Sequence, residues 1–284
     1  MSPRLDAHAH FFFPGYVSHF PESCRRQSPD EITLYQAHAH RHEIAQVLAV
    51  GYEGAAWAEG NNQYIASLAQ EHSWLRPIAH VSDASQLTLN QLSAWQRQDF
   101  VGISLHIFSE EQAETLHRVP TEVWQWLSEN AWLISVNSRG EQWTSWEPIL
   151  SLYPKLTILI AHLGLPPAKP TPLPMDEARS ALKSVLQLAS FPNVHVKFSG
   201  FYALAQPEHA YPHVAAWPYA QAITDTFGSS RIVWGSDFSP ALEVVSFPQT
   251  VEVLNAMAWL TATDIAAIYH DNLATLLKAI DQRP

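Results

Sequence analysis

The chain has 284 residues, 47% hydrophobic and 15% charged, with 10 glycines and 20 prolines. This composition can build a large core and lies outside the disordered and collagen-like classes. Its 16 Lys+Arg against 27 Asp+Glu give a formal charge of −11 at pH 7, which argues against gripping nucleic acid by neutralising phosphates. No stretch approaches the roughly 20 apolar residues of a membrane span, and no basic-then-apolar leader opens the sequence. The single cysteine, Cys24, allows neither an internal disulfide nor a multi-cysteine zinc module. The expectation is a cytoplasmic protein acting on a small molecule, with no nucleic-acid or membrane partner; homo-oligomerisation stays open.

The first apolar run covers residues 4–10 (RLDAHAH), followed by an irregular stretch over 14–30 and a polar segment of helical character, EITLYQAHAHRHE. Run two is 45–51 (AQVLAVG), with a helix expected over 60–72. Run three is 75–81 (LRPIAHV), with a helix over 88–98. Run four is 100–107 (FVGISLHI), and a helix over 120–130 opens with Pro120, whose missing N–H costs nothing in a first turn. Run five is 131–137 (AWLISVN), with a helix over 143–152. Run six is 156–162 (LTILIAH), continued by the proline-rich LGLPPAKPTPLP and a helix over 175–190. Run seven is 194–199 (VHVKFS), with a helix over 219–227, and run eight is 232–237 (IVWGSD), with a helix over 248–257.

The runs are short, rich in Val, Ile and Leu, and continuous, as parallel strands covered on both faces are. Eight strand-helix units predict an α/β fold, a single (β/α)8 TIM barrel spanning 1–284 as one domain. An open doubly wound sheet is the alternative, but no GxGxxG or GxxxxGK[ST] turn follows the first strand. The loops over 14–30 and 163–174 both follow strands, and so belong to one face.

Barrel enzymes hold their chemistry at the C-terminal strand ends, and here nearly every run ends polar. The residues are Asp6, His8 and His10, then His80, His106, Asn137, His162, Lys197 with Ser199, and Asp237. Burying such groups unpaired costs several kcal/mol each, so packing alone is a poor reason for the set. A strand period of two sends Asp6, His8 and His10 to one side, where the two imidazoles can meet one metal ion. The second such pair, His38 and His40, sits in a helical stretch that separates the rings, and reads as ordinary surface. His80 and His106 read as core histidines, His106 being nearer to a substrate. Ser199 and Asn272 read as structural, and Phe11, Phe12, Phe13, Tyr202 and Phe238 could wall an apolar pocket.

LDAHAH on run one, YPKLTILIAHLGLP on run six, NVHVKFSG on run seven, RIVWGSDFSP on run eight and the closing IYHDNLATLL together resemble the amidohydrolase-related family of metal-dependent TIM-barrel hydrolases. That group includes lactonases and decarboxylases of the aminocarboxymuconate-semialdehyde type. The resemblance implies one divalent metal ion, zinc, held by His8, His10, His162 and Asp237. It makes Asp237 and His162 the catalytic groups as well. Metal-binding members place a histidine where this chain has Asn137, and an amide oxygen is a poor zinc ligand beside imidazole. The family also holds lactonases that work without metal, in which the same histidines bind the substrate and Asp237 activates water. Ser104 and His106 offer no carboxylated lysine or glutamate to bridge a second ion.

The expected activity is hydrolysis of a lactone or related carboxylic ester or amide bond by an activated water. Arg139, Lys197 and His106 are the candidate contacts to a substrate that could be anionic. The alternatives are a metal-dependent decarboxylase on the same residues, a metal-free lactonase, or a silent barrel that only binds a metabolite.

Overall fold

A computed structural model describes residues 2–20 and 30–282. Cys24 and most of the irregular stretch expected over 14–30 lie outside the described residues. In chain order the regular elements begin with β1 (Arg4–Ala9), α1 (Glu31–Arg41), β2 (Ile44–Val50), α2 (Asn61–Glu71), β3 (Leu75–Val81) and α3 (Leu89–Gln96). They continue with β4 (Gly102–Ile107), α4 (Glu110–His117), α5 (Thr121–Glu129), β5 (Leu133–Ser138), α6 (Trp146–Leu152) and β6 (Thr157–Ile160). Next come α7 (Met175–Ala181), α8 (Lys183–Gln187), β7 (Val194–Phe198), α9 (Trp217–Phe227) and β8 (Ile232–Trp234). The chain closes with α10 (Phe247–Glu252), α11 (Ala262–Ala266) and α12 (Asn272–Asp281).

The strands form one eight-stranded sheet in sequence order, and neighbouring strands run parallel. Beyond β8, the Asp237 N–H donates to the His8 carbonyl at 2.8 Å and the His10 N–H donates to the Phe238 carbonyl, drawing the last strand onto the first. This is the expected (β/α)8 architecture.

Strand alternation sorts the core into two bodies. Ala79, Val81, Ile103, Leu105, Ile107, Ile134, Val136, Ile158 and Ile160 pack outward into the layer shared with the helices. Leu5, Leu48, Ile78, Val101, Leu133, Leu159 and Val233 form a separate cluster with Leu273, Leu277 and Ile280 of α12. The lower barrel is therefore filled with apolar side chains, with α12 packed against them. Further along, His80, His106, Asn137 and Lys197 alternate with the outward residues of their strands and Asp237 follows β8, which places the polar set at the C-terminal end.

Several boundaries differ from the sequence reading. The helix expected over 175–190 breaks at Leu182, whose ψ of 7° leaves the helical region and separates α7 from α8. The stretch 143–152 opens as a 3-10 turn over Gly140–Ser145 before α6. A helix not anticipated, α4, is started by a capping box between Ser109 and Gln112.

β1 also departs from regular alternation. Its register with β2 shifts between Asp6 and Ala9, as an extra residue in a bulge produces. Asp6 is consequently turned away from His8 and His10. Its carboxylate accepts from Tyr35 Oη on α1 at 2.8 Å, and from the backbone N–H groups of His8 and Ser236 at 3.0 and 2.9 Å. The expectation that the three side chains share one side fails because the bulge resets the phase after Asp6.

Candidate active site

The bulge that turns Asp6 outward brings His8 and His10 together at the barrel mouth. His10 Nδ1 lies 2.7 Å from the carbonyl of Val50, the last residue of β2. A carbonyl only accepts, so Nδ1 carries the proton and Nε2 presents a lone pair. That lone pair faces His8 Nε2 at 3.0 Å. Asp237 Oδ1 lies 3.6 Å from His8 Nε2 and 3.9 Å from His10 Nε2.

His162 follows β6 in a turn whose backbone is left-handed at His162, Leu163 and Leu165, with φ of 49°, 56° and 49°. This fold-back sets its ring edge-on to His8, with centroids 4.7 Å apart. Its Nδ1 lies 3.0 Å from Ser199 Oγ and 3.8 Å from Asp237 Oδ2. Asp237 itself has φ of 58°, is 5% exposed, and accepts at Oδ2 from Tyr202 Oη at 2.7 Å. Tyr202 was expected only as a pocket wall. Ser199, expected as structural, touches a site histidine directly.

Lys197 is 0% exposed. Its Nζ donates to Ser135 Oγ at 2.8 Å and lies 3.1 Å from His8 Nδ1, so it backs His8 rather than opening into the mouth. His106 sits among Tyr52, His80 and Phe108 with ring centroids 5.2–5.8 Å away, edge-on to the last two. Arg139 lies past β5 with its guanidinium over the Phe108 ring at 5.6 Å. It lines a cavity of about 870 Å³ with Phe108, Gln142, Leu165 and Pro166. Phe11 and Phe238 do not wall the mouth: both rings lie 5.2 Å from Tyr35 on α1. Phe12 does, stacking on His10 at 5.9 Å. His38 stacks on Phe247 at 4.3 Å, away from the site, and Asn272 donates to the carbonyls of Ser229 and Ile232.

Burial governs the charges. It lifts Asp237 to about 6 against the pull of His10, Tyr202 and Lys197. It lowers His10 to about 4 and both His106 and His162 to about 3, so these rings are neutral near pH 7. Burial brings Lys197 down to about 7, against the attraction of Asp6 and Asp237.

Ligand atoms of His8, His162 and Asp237 lie within 4.8 Å of one another, and those of His8, His10 and Asp237 are 3.0–3.9 Å apart. Ligands at about 2.0–2.2 Å around one tetrahedral zinc ion stand roughly 3.4 Å apart, so the set matches a single ion in size. The His10–Val50 bond is the outer contact that ligating histidines make. At the fifth strand, Asn137 Oδ1 is buried with no partner among the described residues, beside His106 in register. Among the described residues of β4, no carboxylate or lysine is offered for a second ion.

Residues 5–278 match the sequence model of the family described as amidohydrolase, Amidohydro_2. Over 86 residues the chain is 37% identical to an L-fucono-1,5-lactonase of Burkholderia ambifaria, a stretch covering 30% of this chain and only 27% of that relative. A zinc-bound amidohydrolase from Burkholderia multivorans superposes with a TM-score of 0.75 at 18% identity, over 97% of this chain and 99% of that one. A probable 2-pyrone-4,6-dicarboxylic acid hydrolase from Acinetobacter baumannii, with citric acid bound, superposes with a TM-score of 0.70 at 19% identity, over 98% and 100%. These two structures share the fold. The family match covers nearly the whole chain and includes every strand end described above, and the chain belongs to the amidohydrolase family.

Proposed function

We propose that the chain hydrolyses a lactone or related carboxylic ester of a small molecule, with Asp237 as the group that takes the proton from the attacking water. The observation that carries this is the placement of Asp237: a carboxylate lifted to about 6 by burial, fixed by Tyr202 on one oxygen and facing His8 and His10 with the other. A base with a pKa near the working pH combines availability with driving force. As the water oxygen bonds to the carbonyl carbon, its proton passes to Asp237. When the ring or ester C–O bond breaks, Asp237 returns the proton to the departing alkoxide. His162 bounds the carboxylate from the other side.

His8, His10, His162 and Asp237 would hold a single divalent ion, best matched by zinc, which when bound supplies Lewis acidity at the carbonyl and a more acidic water. The relative named as an L-fucono-1,5-lactonase supports a lactone substrate. Arg139, in its cavity beside the mouth, would receive an anionic substituent, and the neutral His106 would touch the substrate ring. A panel of sugar lactones and carboxylated pyrones, followed by base uptake at constant pH, tests the reading. Turnover of a lactone that is lost in Asp237→Asn supports it. Carbon dioxide released from carboxylic acids with no lactone opened would replace it by a decarboxylase on the same residues.

A further inference from the structure

Lys197 reaches the inner end of His8 from β7 and is fully buried. It has two neighbours at hydrogen-bond distance, Ser135 Oγ at 2.8 Å and His8 Nδ1 at 3.1 Å. In its ammonium form Lys197 carries donors and no lone pair, so both neighbours accept. An accepting Nδ1 leaves the His8 proton on Nε2. That proton points at His10 Nε2, 3.0 Å away, which is an acceptor because His10 Nδ1 already donates to Val50. The four links from Ser135 through Lys197, His8 and His10 to Val50 thus run with one donor and one acceptor each.

A histidine that binds a metal through Nε2 needs the opposite arrangement, with its proton on Nδ1 and an acceptor behind it. His10 has such an acceptor. His8 has a lysine.

We propose that Lys197 is a positioning residue that fixes His8 as the Nε2–H tautomer, so that His8 meets the reacting carbonyl oxygen as a hydrogen-bond donor and the site holds a metal ion only weakly. On substrate entry His8 exchanges His10 for the carbonyl oxygen and stabilises the negative charge that builds there as water adds. The role at the carbonyl rests on the hydrolytic reading above. The tautomer and the weak ion binding do not.

The tautomer is read at pH 6, where Lys197 is an ammonium, from long-range nitrogen–proton correlation spectra of the ¹⁵N-labelled, chelator-treated chain. His8 is expected as Nε2–H and His10 as Nδ1–H in the same spectrum. In Lys197→Gln, the amide oxygen can accept from His8 Nδ1–H while the amide nitrogen donates to Ser135. Its expected effects are a switch of His8 to Nδ1–H and zinc binding tightened about tenfold or more, measured by competition with a chromophoric chelator. A wild-type His8 found as Nδ1–H, or a folded Lys197→Gln variant that binds zinc no more tightly, overturns the proposal. If Lys197→Gln does not fold, the wild-type spectrum alone decides. Neither readout uses turnover, so failure of every lactone sinks the hydrolytic reading without touching this one.

Discussion

Asp237 is the residue on which the chemistry turns, and its environment dictates a pH profile. Burial holds its carboxyl at about 6, and only the ionised form accepts a proton. The value of kcat/KM should therefore rise with pH and level off above about 6, and Asp237→Asn should lose ~10²–10⁴-fold in kcat. A profile flat from pH 4 to 8 would contradict the assignment. Tyr202 tunes this group. Its hydroxyl stabilises the ionised carboxylate, so Tyr202→Phe should move the rising limb of the profile to higher pH and lower kcat with little change in KM. Of these contacts, Asp237 and His162 are legible in the sequence because each ends an apolar run. Tyr202 is not, since it sits in a 3-10 turn after β7 whose path across the mouth has no periodic signature. Lys197 is legible as an inward residue of β7, but what it touches is not, because its partner His8 comes from β1 at the far end of the chain.

At the scale of elements, two devices place the histidines. The first is Asp6, which ties β1, the end of β8 and α1 together through its three acceptor contacts. Removing a buried acceptor leaves its donors unpaired, so Asp6→Ala should cost about 3–5 kcal/mol of unfolding free energy, measured by urea denaturation. A loss under about 1 kcal/mol would show that water replaces the carboxylate. The second is Gly200, with φ of 64°, where an added Cβ would stand 2.5 Å from His162 Nδ1. Gly200→Ala should displace the His162 ring and cut activity by tenfold or more in a chain that keeps its circular dichroism spectrum. The strand pattern is readable from the sequence because a filled barrel demands continuous apolar runs. The bulge in β1 is not, since RLDAHAH alternates without a break and only pairing with β2 reveals the added residue. The split between α7 and α8 leaves no glycine or proline mark either.

The whole molecule carries a second, wider pH response through histidines outside the chemistry. His195 on β7 is held at about 4 by burial and by the nearby Arg231, and His213 is held at about 4 by burial alone. Both have a buried Nδ1 with no partner among the described residues. In the unfolded chain such rings titrate near 6.5. Between about 4 and 6.5 the folded chain therefore binds fewer protons than the unfolded one at these positions, and stability falls as pH falls through that window. His80, His10, His106 and His162 act in the same direction, with lowered values of about 4, 4, 3 and 3. Asp6 and Asp237, both lifted to about 6, act in the opposite direction, because their folded forms hold protons up to that value. The lowered histidines, which also include His8, His38 and His42, outnumber the raised carboxylates, which also include Glu31, so the net slope is acid destabilisation. The urea midpoint should drop between pH 7 and pH 5 at constant ionic strength, and His195→Gln, which cannot take up a proton, should make that drop smaller. A midpoint that rises on acidification would show instead that the buried carboxylates dominate the balance.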